Sequence, residues 1–134
     1  MSNENRWLQR LQNLNKAAQR LADACAQDEY NDLEIAGLVQ TYEFTFELCW
    51  KTFKDKLTFE GYDVNSPRET IKKAFEMGLL ADVDSWLEAL ESRNVFTHTY
   101  NNDIAKQAVV LIKDKLEPML HASVSKLNKL AKSS

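Results

Sequence analysis

The chain has 134 residues, a formal net charge of −3, and only three glycines and two prolines. That length sets a single domain, 1–134, with room for a buried core, and the scarcity of Gly and Pro argues for long helices joined by few turns. A negative net charge excludes a molecule that holds nucleic acid by overall charge alone. The charge is nonetheless uneven. From Asp103 onward six lysines face Asp103, Asp114 and Glu117, a balance of 6 − 3 = +3, which leaves −6 on the first 102 residues. A basic last helix on an acidic body can meet an acidic partner or a phosphate backbone; a solvated lysine face is the commoner meaning of such a run.

The first residues, Met1 to Arg6, are polar and pass directly into helical periodicity, so no secretory leader is expected. No stretch approaches the ~18 apolar residues of a membrane span, and the expected location is the cytoplasm, with no membrane contact. Trp7, Leu8, Leu11, Leu14, Ala18, Leu21 and Cys25 then recur at spacings of mostly three and four, which predicts an amphipathic helix of about 24 residues. Its other face carries Arg10, Lys16, Arg20 and Asp23.

The segment 31–60 is the strongest predicted element. Ile35, Leu38, Tyr42, Phe46, Cys49, Trp50, Phe53 and Leu57 form one apolar stripe, and Phe44 and Leu48 add a second. Two apolar faces predict that this helix is central, or that one face meets another subunit. Gly61 is placed to end it in the left-handed conformation. Cys25 and Cys49 share no metal-ligand spacing and are expected to pack as small apolar residues.

Ser66-Pro67-Arg68-Glu69 predicts a reciprocal capping box with proline at the first helical position. The short helix behind it, through Ile71, Ala74 and Phe75, should stop at Gly78. Asp82 or Asp84 caps a fourth helix through Trp86, Leu87, Leu90 and Val95. Asn101 or Asn102 caps a fifth, and Pro118 should kink that helix about one turn upstream. Residues 131–134 are expected to fray. With no alternating β-branched run, the expected fold is all-α: an up-and-down antiparallel bundle of four to five helices.

Chemistry concentrates in Arg93-Asn94-Val95-Phe96-Thr97-His98-Thr99-Tyr100. Arg grips phosphate, and His, with a pKa of about 6.5, moves protons near neutral pH. An ordinary helix end would also use such residues, with His98 as a capping or packing group and Arg93 as a surface cation. On an ideal helix Arg93 shares a face with Thr97 and Asn94 shares one with His98, while Arg93 and His98 are about 140° apart. They converge if the helix unwinds near 97–100, or if a second copy faces the first. Metal-free RNA cleavage needs a base and an acid, and a symmetric pair of chains supplies two His98 and two Arg93.

Other motifs have simpler readings. Asp82-Val83-Asp84 has the metal-binding D-x-D form of nucleotidyltransferases but lacks the preceding strand and Gly-Ser turn, so helix capping explains it better and no metal site is expected. The aromatic stripe Tyr42, Phe46, Trp50 and Phe53 reads as core rather than as a base-stacking platform. His121 reads as exposed and without a role. Lys51, Lys54 and Lys56 read as a solvated face rather than a phosphate groove.

The stretch Tyr42-Glu43-Phe44-Thr45-Phe46-Glu47-Leu48-Cys49-Trp50-Lys51-Thr52, followed by Ser66-Pro67-Arg68-Glu69, Ala74-Phe75-Glu76-Met77-Gly78-Leu79 and the octet, resembles the nucleotidyltransferase substrate-binding protein family. That family belongs to the HEPN superfamily and is related to the HepT toxins. The resemblance covers about residues 5–120. It implies a bundle similar to the substrate-binding domain of kanamycin nucleotidyltransferase, forming a homodimer and partnered by a separate minimal nucleotidyltransferase. It implies no cofactor. In HepT-like relatives R-x4-6-H is a ribonuclease motif and the following Tyr accepts AMP from the partner enzyme. Carried over, these positions are Arg93, His98 and Tyr100, with Asn94 and Thr97 as polar neighbours in binding. Three functions remain open at this point: a metal-independent ribonuclease subunit that is not itself a nucleotidyltransferase, a non-catalytic nucleotide- or substrate-binding subunit, and a structural bundle.

Overall fold

A computed structural model gives the structure of the chain and describes residues 2–93 and 102–133, Asn102 by its backbone alone. The described residues are helical throughout, with no strand. Helix α1 spans Asn3–Cys25, α2 Asp32–Phe59, α3 Pro67–Glu76 and α4 Val83–Ser92. Helix α5, Asn102–Leu111, runs through a π-helical turn at Ile112–Leu116 into α6, Glu117–Ser133. Counting α5 to α6 as one bent helix, the described residues form five helices.

The longest contact in the molecule joins α1 to α2, and α6 packs against both. Helix α2 also touches α3 and α5, which makes it the central helix its two apolar faces predict. The first face is sealed: Leu38, Tyr42, Phe46, Cys49, Phe53 and Leu57 are all 1% exposed or less. They meet Trp7, Leu14 and Leu21 of α1, Ile71 of α3, Trp86 of α4, and Ile112, Leu120 and Leu127 of the last helix. Trp86 is the keystone on the α4 side, with ring centres 5.3 Å from Phe46 and 5.3 Å from Phe53. The aromatic stripe is therefore core, as its helical spacing predicts. Truncating a buried ring of this kind costs about 3–5 kcal/mol through lost transfer energy and the cavity left behind.

Helix ends follow local chemistry. Asn31 caps α2 with a complete capping box: its side chain accepts from the Glu34 amide at 2.8 Å, and Glu34 accepts from the Asn31 amide at 3.0 Å. Gly61 (φ 94°) and Gly78 (φ 76°) close α2 and α3 in the left-handed conformation. Each closure uses the same paired bonds, Gly61 N–H to Thr58 and Tyr62 N–H to Leu57, then Gly78 N–H to Phe75 and Leu79 N–H to Ala74. Ser66 caps α3 by accepting from the Glu69 amide at 3.1 Å. The cap is one-sided, because among the described residues the Glu69 side chain returns no bond to Ser66. Asp82 caps α4, accepting from both the Ser85 amide and the Ser85 hydroxyl; the D-x-D pair is a helix start.

Pro118 acts upstream, as expected, but by widening the helix. It has no N–H to donate and its ring crowds the preceding carbonyls. The chain accommodates it with the π turn, in which the Glu117 N–H reaches back five residues to Ile112. The end of α6 differs from expectation: the helix runs on to Ser133, where the sequence predicts fraying from residue 131. Leu130 and Ala131 pack against the core and anchor that turn.

Lys56 corrects another expectation. It is 7% exposed rather than solvated. Its ammonium lies 4.9 Å from the centre of the Trp7 ring and 2.7 Å from a Glu60 oxygen, so it is satisfied by an aromatic face and a carboxylate. Cys49 is fully buried in the core, whereas Cys25 is only partly covered. No helix among the described residues is long and apolar enough to cross a membrane.

Candidate functional site: a cleft between helix α2 and Arg93

Arg93 sits directly after α4, whose last helical residue is Ser92. The helix therefore ends before Val95, where the periodicity predicts its end. Of the candidate residues in the octet, Arg93 is the one described; Asn94, Thr97, His98 and Tyr100 lie outside the described residues. The convergence of Arg93 with His98 is accordingly not a geometry the structure provides.

Arg93 opens onto a cleft of about 480 Å³ lined by Tyr42, Glu43, Phe46, Glu47, Trp50, Lys51 and Pro67. Helix periodicity explains the wall. Glu43, Glu47 and Lys51 recur at intervals of four, beside the parallel row Tyr42, Phe46 and Trp50. One row is charged and the other is the aromatic edge of the core, so the cleft has a polar wall on an apolar floor. Pro67, at the first position of α3, also lines the cleft.

Glu47 organises the charges. One oxygen accepts from the Arg93 guanidinium at 2.9 Å and the other from the Trp50 indole N–H at 3.0 Å. Both partners of the ion pair remain more than a third exposed, with side-chain accessibilities of 38% and 36%. Such a pair contributes on the order of 0–1 kcal/mol to stability, and its consequence is position: it holds the guanidinium at the cleft while leaving it more than a third exposed. Glu43 is the other carboxylate. Its Oε1 is sealed from water and has no hydrogen-bond partner among the described residues. Burial, and then the charge of Glu47 one turn on, push its carboxyl above the ordinary range.

The sequence motifs contain Glu43 and Glu47 but assign them no role. The usable signal was the interval of four that sets Glu43, Glu47 and Lys51 on one line beside an aromatic row. Lys51 is exposed and lines the cleft. Lys56 is elsewhere in the core. Among the described residues no group of three or more His, Cys, Asp or Glu is arranged to hold a metal ion. A larger groove, about 800 Å³ and mostly apolar, lies between the turn after α3 and α6. It contains none of the candidate residues.

The chain matches the nucleotidyltransferase substrate binding protein like family over residues 9–129. It is 29% identical over 90 residues to a protein of Haemophilus influenzae named "probable ribonuclease HepT", an alignment covering 63% of this chain and 62% of the relative's length. Among solved structures, a crystal structure of a Thermus thermophilus protein superposes with a TM-score of 0.77 at 27% identity, covering 85% of this chain and 98% of that one. The match over 121 of 134 residues, on an all-helical fold shared with the Thermus protein, leads to one conclusion: this chain belongs to the nucleotidyltransferase substrate binding protein like family.

Proposed function

We propose that this chain is the HEPN subunit of a two-component nucleotidyltransferase system, acting as a metal-independent endoribonuclease. The observation that carries the proposal is Arg93 held by Glu47 at the mouth of a charged, aromatic-floored cleft. It is the first residue of R-x4-H-x-Y in a chain whose relative is named probable ribonuclease HepT. In this reading Arg93 binds the scissile phosphate and offsets its developing charge, His98 transfers a proton, and Asn94 and Thr97 contact the nucleotide. Tyr100 is the acceptor of AMP from a separate minimal nucleotidyltransferase. In this reading the chain assembles as a homodimer. The second apolar face of α2 supports that state, because Phe44 is 57% exposed and Leu33 82% exposed on the same side of the helix.

The test is cleavage of a labelled RNA in EDTA by protein whose Tyr100 is unmodified by mass spectrometry. Activity should vanish in Arg93→Ala and in His98→Ala. A neighbouring nucleotidyltransferase should co-purify and transfer AMP to wild-type protein but not to Tyr100→Phe. An inactive, unmodified wild type would reject the ribonuclease reading.

A second reading, a non-catalytic nucleotide- or substrate-binding subunit, draws on the family's own description and on the size of the cleft, which is within the ordinary range for small-molecule sites, about 300–1,000 Å³. It requires nucleotide binding that depends on Arg93 without RNA cleavage, and calorimetry with the partner present separates the two.

A further inference from the structure

Glu43 has a setting that neither a structural helix nor an ordinary surface carboxylate requires. Its Oε1 is closed off from solvent and accepts no hydrogen bond among the described residues. The Arg93 guanidinium, the cation that would best hold a neighbouring carboxylate ionised, is engaged by Glu47. Among the described residues, the titratable and charged groups facing this cleft with Glu43 are Tyr42, Glu47 and Lys51 of α2 and Arg93 after α4; α3 adds only the uncharged Pro67. An oxygen sealed without a donor is costly in a charged carboxylate and far less so in a neutral carboxyl. Burial and the Glu47 charge act in the same direction on its proton affinity.

We propose that Glu43 is the proton donor of this cleft, a carboxyl with one oxygen sealed in its wall that gives its proton to the oxygen leaving phosphorus when an RNA phosphodiester is bound. The assignment rests on the ribonuclease reading above. In the step, the 2′-hydroxyl loses its proton to the base, the bond from O2′ to phosphorus forms and the bond from phosphorus to O5′ breaks. The departing O5′ takes the Glu43 proton. The products are a 2′,3′-cyclic phosphate, a 5′-hydroxyl and an ionised Glu43, so atoms and charge balance. Before the step the cleft holds Lys51 and Arg93 against Glu47 alone, a local balance of +1 toward the phosphate; an ionised Glu43 would cancel it.

The experiment compares full-length wild type, Glu43→Gln and Glu43→Asp on a fluorogenic RNA in EDTA across about pH 5 to 8. Glu43→Gln should lower kcat by about 10²-fold or more while KM changes little, and should remove the limb of the kcat profile that falls as pH rises. Glu43→Asp should keep that limb at reduced rate. A Glu43→Gln enzyme with wild-type kcat and profile overturns the Glu43 assignment and leaves the ribonuclease reading standing. Wild type that cleaves no RNA overturns both. Carbon-13 NMR of the Glu43 carboxyl provides a readout independent of activity: titration at about the ordinary 4.3 overturns the assignment at once.

Discussion

Two carboxylates one helical turn apart have opposite fates in this molecule. Glu47 is satisfied on both oxygens by Trp50 and Arg93, whereas Glu43 has an oxygen that nothing among the described residues satisfies. A group arranged this way costs stability, and the pH dependence of that cost has a definite sign. The folded state raises the Glu43 carboxyl above its ordinary value, so it holds the proton longer than the unfolded chain does. Its unfavourable contribution is absent below the ordinary carboxylate range, grows as pH rises from the ordinary value to the folded one, and is complete above it. Glu43→Gln should therefore melt at nearly the same temperature as wild type near pH 4 and above it at pH 8, measured by circular dichroism. A variant that melts lower at pH 8 would mean the charge is compensated after all. Loss of activity combined with gained stability is the pattern expected of a functional residue. Arg93 offers the complementary case. Arg93→Lys preserves the charge but not the planar fork that can take a phosphate bidentately, so RNA cleavage should fall by about 10²-fold or more with little change in melting temperature.

At the scale of elements, most of the bundle was readable because its determinants are local. Gly61, Gly78, Ser66, Pro67 and Asp82 each stand where the helix ends they specify are found. Gly61→Ala and Gly78→Ala should each cost about 1 kcal/mol, since an alanine must then occupy the left-handed region, and urea denaturation measures it directly. Asn31→Ala should cost a similar ~1 kcal/mol by removing the α2 cap, and unchanged stability would mean the box is ornamental. That cap was legible as Asn31-x-x-Glu34 and went unread. The widening of the helix before Pro118 was less legible: the missing donor is visible in sequence, but whether a helix kinks or takes up an extra residue depends on the packing of Ile112 and Leu116, both buried. The cleft was hardest to read. Arg93 and Glu47 are 46 positions apart, and only the path of α3 and α4 across α2 brings them together. Glu43, Glu47 and Lys51 were visible as a line on a helix, but nothing in that line names the cation that ends up opposite.

On the scale of the whole molecule, one apolar surface is left exposed among the described residues. Leu33 and Phe44 are eleven residues apart on α2, which returns them to within about 20° of the same direction, and half-buried Leu48 continues the line. Helix α5 also exposes Val110 at 58% and Ile104 at 40%. An exposed apolar face on one helix is what a two-fold interface uses, since one patch then serves both partners. A charge placed there in every chain appears twice across the axis, so Phe44→Asp should act on the dimer twice over. A buried aromatic anchor at such an interface contributes about 2 kcal/mol or more, equivalent to about a thirtyfold or greater weakening. Sedimentation velocity should find wild type at twice the 15.4 kDa chain mass and Phe44→Asp at the chain mass itself, with unchanged helicity. A wild type that sediments as a single chain would remove the dimer from the functional picture. The same variant separates two ways of assembling the chemistry. If two His98 residues must meet, RNA cleavage by Phe44→Asp should fall in step with dissociation and recover at high protein concentration. If Glu43 supplies the acid, activity per chain should persist in the monomer, and its falling alkaline limb should still disappear on adding Glu43→Gln.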